Sequence, residues 1–444
     1  MKQSRAVTAI LVAVAVATAF AVPSLAAAAP SPQAHSANAH RNAERQQAAT
    51  THAPIRPVLI VPGDGSNQLE ARLTGKPHVP HFYCDKRTTC WYRLWLSVTQ
   101  LLPGAVDCWA DNMRLVVNAT TGRASAPPGV ETRVPYWGTT TGFEELDPSV
   151  PGHATAVFRD LVAALLGDAS LGPLERNATL AGAPYDFRYT PDSPQGLSGV
   201  RLAALVERTS ARAGGARVTL VSHSMGGLQV KYFLSRRSAA WKAKYIRRWV
   251  AISTPWTGAS QEPRLFASGN PEGLPVQASS VRDEQRSYET NAWLLPRAGV
   301  YDPHTVLVRT PSRNYTATDA DYAAFFAAIG YPVGDRVRRR VHALVDPLAA
   351  PGVEVHCMFS RGVATPRTYT YASDTDFSGT PAVVHTDGDG TVTHGSLAVC
   401  GRWAATGAQG AAPVTVATYA NVTHSGMLKS PAVLRDLVAL LKED

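Results

Sequence analysis

The sequence predicts an α/β fold, a mostly parallel sheet covered by helices on both faces. Three observations carry that expectation. Short apolar, β-branched runs recur at residues 57–61 (PVLIV), 217–221 (RVTLV) and 247–253 (RRWVAIS), as in strands buried on both faces. Segments with helical spacing of apolar residues separate them, and such alternation builds parallel sheets. The middle run passes through Ser222-His223-Ser224-Met225-Gly226-Gly227 into a segment that reads as helix, with Leu228, Val230, Tyr232 and Phe233.

Composition allows this fold and excludes others. A chain of 444 residues holds one large domain with insertions, or two. With 17% charged and 45% hydrophobic residues it is globular and not disordered. The formal charge is +9, but no long Lys/Arg run exists. The densest cluster, 336–340 (RVRRR), is interrupted by Val337 and preceded by Asp335, which fits a solvated basic face and not a nucleic-acid partner. A mildly cationic surface suits anionic lipid head groups.

Taken in order, the chain begins with a secretory pattern. Lys2 and Arg5 precede an apolar core at 6–22, and Leu25-Ala26-Ala27-Ala28-Ala29 offers small-residue cleavage sites. A cut after Ala27 or Ala28 makes 1–28 a signal peptide and the product secreted; the rival is an uncleaved anchor. Residues 29–54 read as a flexible linker whose His35, His40 and His52 are too scattered to hold a metal. One domain then spans 55–444, with insertions near 80–110 and 257–297.

The first strand, 57–61, ends in Pro62-Gly63-Asp64-Gly65-Ser66-Asn67. Such a loop supplies an oxyanion-hole amide in acyl-transfer folds, although alone it reads as a simple turn. Between Cys84 and Cys108, the residues Trp91, Leu94, Trp95, Val98, Leu101 and Leu102 follow helical spacing. That stripe is either core or an interfacial surface. Residues 153–166 read as an amphipathic helix, Pro184-Tyr185-Asp186-Phe187-Arg188 follows a turn, and 202–212 is a further helix. Periodicity is lost over 257–295, where a lid or substrate loop would sit. Strands are expected at 305–308, 353–359 and 414–419, and a closing helix at 431–441.

Five cysteines, Cys84, Cys90, Cys108, Cys357 and Cys400, leave one unpaired if the rest form disulfides in an exported protein. No Cys-x-x-Cys spacing suggests zinc. The acidic loops starting at Asp374 and Asp387 have His385 and Ala398 where a calcium loop needs Glu. No metal or cofactor is expected.

The chemistry centres on Ser224. Strand, tight turn and helix make a nucleophile elbow, whose neighbours must be small. Gly226 and Gly227 meet that need, while Ser222 stands where glycine is usual. A serine nucleophile needs a base, and the base an orienting carboxylate. In an α/β-hydrolase these follow in the order Ser, Asp, His. Asp389, in Asp387-Gly388-Asp389-Gly390, and His424, after the last strand, fit that order. Asp387, two residues from Asp389, is the rival carboxylate; its alternative role is to hold the loop by bonding nearby amides. His385 and His394 precede the last strand, and His223 adjoins the nucleophile as a packed neighbour. The amides of Met225 and Asp64 would hold the oxyanion, and no metal is needed.

Several stretches resemble the lecithin:cholesterol acyltransferase family, most of all its lysosomal phospholipase/transacylase branch. They include VPGDGSNQLEA, LLPGAVDCWADNMRLV, GAPYDFR, SHSMGG, ASGN, WLLP and DGDGTV. The resemblance implies an α/β-hydrolase fold with a membrane-contacting insertion and a lid. It implies the triad Ser224, Asp389 and His424, with Asp64 and Met225 as oxyanion amides. It implies that Cys84 pairs with Cys108 and Cys357 with Cys400. Cys90 is extra to the pattern, so Cys84–Cys90 and Cys90–Cys108 stay open. Trp91, Leu94 and Trp95 would touch lipid. The expected activity is phospholipid acyl hydrolysis and acyl transfer by a protein bound peripherally to a membrane or lipoprotein surface. A triacylglycerol lipase or carboxylesterase, and a non-catalytic lipid-binding protein, are the rivals.

Overall fold

The computed structural model describes residues 54–404 and 412–443. The expected signal peptide 1–28, and all of the linker 29–54 except its last residue, lie outside the described residues.

Six strands form one wholly parallel sheet: β1 (Val58–Val61), β2 (Leu180–Gly182), β3 (Val218–His223), β4 (Ile246–Ile252), β5 (Val355–Arg361) and β6 (Val414–Ala420). Their order across the sheet is β6-β5-β4-β3-β1-β2. The central strands β1 and β3 are buried along their whole length, because each face is packed. Successive residues of a strand point to opposite faces. Val58 and Ile60 therefore join one apolar layer with Leu161, Leu165 and Leu437. Leu59 and Val61 join the other with Leu202, Leu205 and Phe233. Helix α1 (Gly199–Arg212) opens on Ser198, whose side chain accepts from the Arg201 amide. Helix α2 (Met225–Ser235) follows β3 directly. With this sheet and this strand-to-helix turn, the chain has the α/β-hydrolase fold.

The stretch at 91–102 does not form the expected helix. Tyr92–Trp95 is a strand that pairs antiparallel with Leu69–Leu73, followed by a 3-10 turn at Val98–Leu101. Five residues rich in aromatics suit a strand as well as a helix face, and the distant partner strand decides between them. The helix expected at 153–166 starts later, at Arg159–Gly167, after a 3-10 turn at Pro151–His153. The aperiodic segment 257–295 contains three short helices, α3 (Glu262–Ser268), α4 (Ala278–Gln285) and α5 (Glu289–Leu294). All six residues of α5 are buried, so no polar face marks it in the sequence.

Disulfides join Cys84 to Cys108 and Cys357 to Cys400, with Cα–Cα distances of 5.5 and 6.7 Å, and Cys90 is a free, exposed thiol. Among the described residues no helix is long and apolar enough to cross a membrane. Helix α6 (Pro431–Lys442) closes the fold.

The Pro184–Arg188 segment carries a buried ion pair. Arg188 donates from Nε and Nη2 to the two Asp186 carboxylate oxygens at 2.8 and 2.6 Å, and from Nη1 to the Met113 carbonyl at 3.0 Å. Arg188→Leu would leave Asp186 buried without its partner. The expected cost is about 3–5 kcal/mol, measured as a drop in the denaturant midpoint.

Candidate active site

The end of β3 and the start of α2 pin Ser224 at φ 54° and ψ −131°. An L-residue held there is strained, and the surrounding packing keeps it so. The Ser224 amide donates to the Ile252 carbonyl at 2.9 Å, which ties the turn to β4. A Cβ on Gly226 would lie 2.4 Å from the Pro62 carbonyl oxygen, and one on Gly227 2.0 Å from Thr254 Oγ1. Neither position admits a side chain. Ser222, where glycine is usual, is buried, and its Oγ accepts from Trp249 Nε1 at 2.9 Å. A small hydroxyl thus fits the strand side and is used there.

The structure brings Ser224, His424 and Asp389 into one hydrogen-bonded line. Ser224 Oγ lies 2.9 Å from His424 Nε2, and His424 Nδ1 lies 2.6 Å from Asp389 Oδ2. The other Asp389 oxygen accepts from the Thr391 and Val392 amides at 3.0 and 2.8 Å. Asp389 is fully buried, which by itself raises a carboxyl pKa. The adjoining His424 ring and the loop amides outweigh burial and hold it below its usual value. The His424 amide also donates to the Asp389 carbonyl at 2.7 Å, so backbone and side chain fix one geometry.

The neighbours divide as the sequence suggests, with one addition. Asp387 accepts from the Gly362 amide at 2.6 Å and pairs with Arg361, holding the loop from outside. His394 packs on Phe359. His223 does more than fill space: its Nε2–H donates to the His424 carbonyl at 3.1 Å, and the two rings lie 4.8 Å apart. Burial, and then the facing His424, push its pKa down to about 3, so it stays neutral and holds His424 in place. Sequence position alone gives no signal for that bond.

Met225 is the first residue of α2, so its N–H belongs to the turn that no helical carbonyl reaches. Gly63 presses against the nucleophile: a Cβ there would sit 2.9 Å from Ser224 Cβ. The next residue, Asp64, lines the same cavity as Ser224 and His424. Trp95 anchors the same loop by donating from Nε1 to the Gly65 carbonyl at 2.6 Å.

Two cavities meet at Asp64, Ser66, Val157, Glu272 and Ser425. The first, about 350 Å³, is walled mainly by apolar side chains such as Trp95, Leu96, Trp109, Leu265, Leu274 and Val281. The second, about 460 Å³, holds Ser224 and His424 and is lined by Glu262, Arg264 and Asn270. The segment 257–295 walls both. Of the three residues expected at a lipid surface, Leu94 is 0% exposed and cannot touch a bilayer in this conformation. Trp95 faces the apolar cavity. Trp91 is partly buried beneath the guanidinium groups of Arg72 and Arg133. The strand geometry of 92–95, in place of a helix, buries Leu94 and leaves Trp95 lining the cavity.

Four carboxyls around these cavities were not foreseen as a group: Asp64, Glu262, Glu272 and Glu284. Burial pushes Asp64 up to about 8, assisted by the Glu272 charge and opposed by the Gly65 amide, while Glu272 lines both cavities but is itself exposed. Glu284 rises to about 8 through burial, with Tyr288 opposing and Glu272 adding. An acid whose folded pKa lies above its unfolded value of 4.5 loses stability as pH climbs from 4.5 through about 8. Glu284→Gln removes that loss. It is expected to stabilise by about 1–3 kcal/mol near pH 8 and by nearly nothing near pH 4, as thermal unfolding at the two pH values would show.

A family profile described as Lecithin:cholesterol acyltransferase matches residues 91–329 and 335–431. A lysosomal phospholipase A and acyltransferase of Bos taurus is 41% identical over 348 residues, which cover 78% of this chain and 83% of the relative. The Homo sapiens protein of the same name is 40% identical over 348 residues, covering 78% and 82%. The phosphatidylcholine-sterol acyltransferase of Homo sapiens is 36% identical over 388 residues, covering 87% and 84%. This chain belongs to the lecithin:cholesterol acyltransferase family.

Proposed function

We propose that this protein is a serine-dependent phospholipid acyl hydrolase and O-acyltransferase, with Ser224, His424 and Asp389 as its triad. The observation that carries the reading is the unbroken line of hydrogen bonds from Asp389 through His424 to Ser224, opening on a cavity with an apolar arm. An acyl chain lies in that arm. Ser224 Oγ attacks the ester carbonyl as His424 Nε2 takes its proton, and the Met225 and Asp64 amides receive the oxyanion. His424 returns the proton to the leaving alcohol, leaving an acyl-enzyme. Water or a second hydroxyl then attacks the acyl carbon, and the same imidazole serves as base.

The segment 257–295 acts as a lid whose inner wall shapes both cavities. Contact with a membrane falls to Phe82, Tyr83 and Leu102, which flank the Cys84–Cys108 closure and are exposed, Phe82 by 97%. Lys2, Arg5 and the apolar run after them support secretion.

Phosphatidylcholine vesicles containing a long-chain alcohol, with products followed by mass spectrometry, test the reading. Free fatty acid and a new ester are expected. Fatty acid alone would make the protein a hydrolase only, turnover of triacylglycerol but not phospholipid a lipase, and no product at all a binding protein.

A further inference from the structure

The two arms of the cavity differ in chemistry, and the difference bears on what receives the acyl group. The arm with Trp95, Leu265 and Val281 suits a hydrocarbon chain. The arm that contains Ser224 and His424 is also lined by Gln261, Glu262, Arg264, Asn270, Glu272 and Tyr369. Glu262 is 2% exposed, and its Oε2 has no hydrogen-bond partner. The Arg264 Nε and one Asp64 carboxylate oxygen are likewise buried and unpartnered. Burial, with the Glu272 and Asp64 charges added, drives the Glu262 pKa well up, which favours the neutral carboxyl, a group that can both donate and accept. These groups line the space beside the atom that would carry the acyl group. Unsatisfied donors and acceptors of this kind reject an apolar occupant and reward one that bonds them. A rigid sterol would cover them without pairing them. Adjacent hydroxyls on a short carbon frame would pair them.

We propose that this polar arm is an acceptor subsite for a glycerol unit, a small vicinal diol, and that Glu262 selects it over sterols and long-chain alcohols. The inference rests on the function proposed above. One glycerol hydroxyl attacks the carbonyl carbon of the Ser224 ester and loses its proton to His424 Nε2. The bond from acyl carbon to Ser224 Oγ breaks, and the proton passes to Oγ. The products are a glycerol ester and free serine. The neighbouring hydroxyl bonds the Glu262 carboxyl, with Asn270 and Arg264 close by.

The diol has two sources, free glycerol and a phosphatidylglycerol head group, and the experiment separates them. Purified protein is given phosphatidylcholine vesicles with cholesterol and a long-chain alcohol, plus either glycerol in the buffer or phosphatidylglycerol in the bilayer. Mass spectrometry counts monoacylglycerol, acyl-phosphatidylglycerol, sterol ester, alkyl ester and free fatty acid. The expected result is that a glycerol ester from one source exceeds the sterol and alkyl esters by about tenfold. Glu262→Leu should lower the ratio of glycerol ester to fatty acid by about tenfold, while Glu262→Gln, which keeps the hydrogen-bonding shape, holds it within about threefold. That ratio does not move if a variant merely loses folded protein. Sterol or alkyl ester as the main transfer product overturns the proposal. So does fatty acid with no glycerol ester, or an unchanged ratio in Glu262→Leu. Each of these leaves the triad reading standing if Ser224→Ala abolishes the release of fatty acid. Release that survives Ser224→Ala overturns the triad reading and the acceptor subsite with it.

Discussion

Ser224→Ala is expected to lower kcat for phospholipid cleavage by at least ~10⁴-fold while leaving the fold intact. The variant keeps the Cβ that β3 and α2 enclose and removes only the oxygen 2.9 Å from His424 Nε2. Residual turnover would come from the oxyanion amides and from substrate positioning. Ser224→Gly should be equally inactive but more stable by about 1 kcal/mol, because glycine at φ 54° carries no Cβ strain. A stability gain at the cost of all activity is the signature of a residue held in a strained pose for chemistry. Kinetics on vesicles, with denaturant unfolding of the same preparations, would measure both. Retained turnover in Ser224→Ala would end the proposed mechanism.

Asp389→Asn should cost nearly as much, about 10⁴-fold in kcat, and the structure gives the reason. Asp389 Oδ1 accepts from the Thr391 and Val392 amides, so the carbonyl oxygen of an asparagine must stay on that side. Its NH2 group then faces His424 Nδ1, where Oδ2 now accepts at 2.6 Å. Nδ1 becomes an acceptor, and the imidazole proton moves to Nε2. That proton points at Ser224 Oγ, and the base can no longer receive one. The ¹⁵N shifts of His424 would report the exchanged tautomer directly. A variant with unchanged kcat would show that Asp389 does not orient the ring, and Asp387 would be the carboxylate to replace next.

The parts of this molecule that were legible in its sequence share a physical property: they depend on local geometry or on burial from every side. Val218–His223 reads as a strand because a fully enclosed strand needs a continuous apolar run, and Ser224 reads as an elbow because only small residues fit at Gly226 and Gly227. The order Ser224, Asp389, His424 along the chain was legible because each sits in a turn just past a strand, Ser224 and His424 after strands of the parallel sheet and Asp389 after Ala382–Gly388 of a separate four-stranded sheet. None of these needs a distant partner to be recognised.

The remainder was decided in three dimensions. Residues 91–95 fit a helical stripe, yet they pair with Leu69–Leu73, and that pairing turns Leu94 inward and Trp95 toward the cavity. Helices α3 and α5 carry no amphipathic period, because neighbours bury them on several sides, and the one buried side of α4 is mostly polar, Val281, Glu284 and Gln285. His223 holds the His424 carbonyl across 201 residues of chain. Above all, Glu262 and Glu284 are ordinary acidic residues in the sequence; what packs around them takes them out of water. Periodicity records which side of an element is covered, but the identity of the covering group, and so the charge state of what it covers, exists only once the chain has folded.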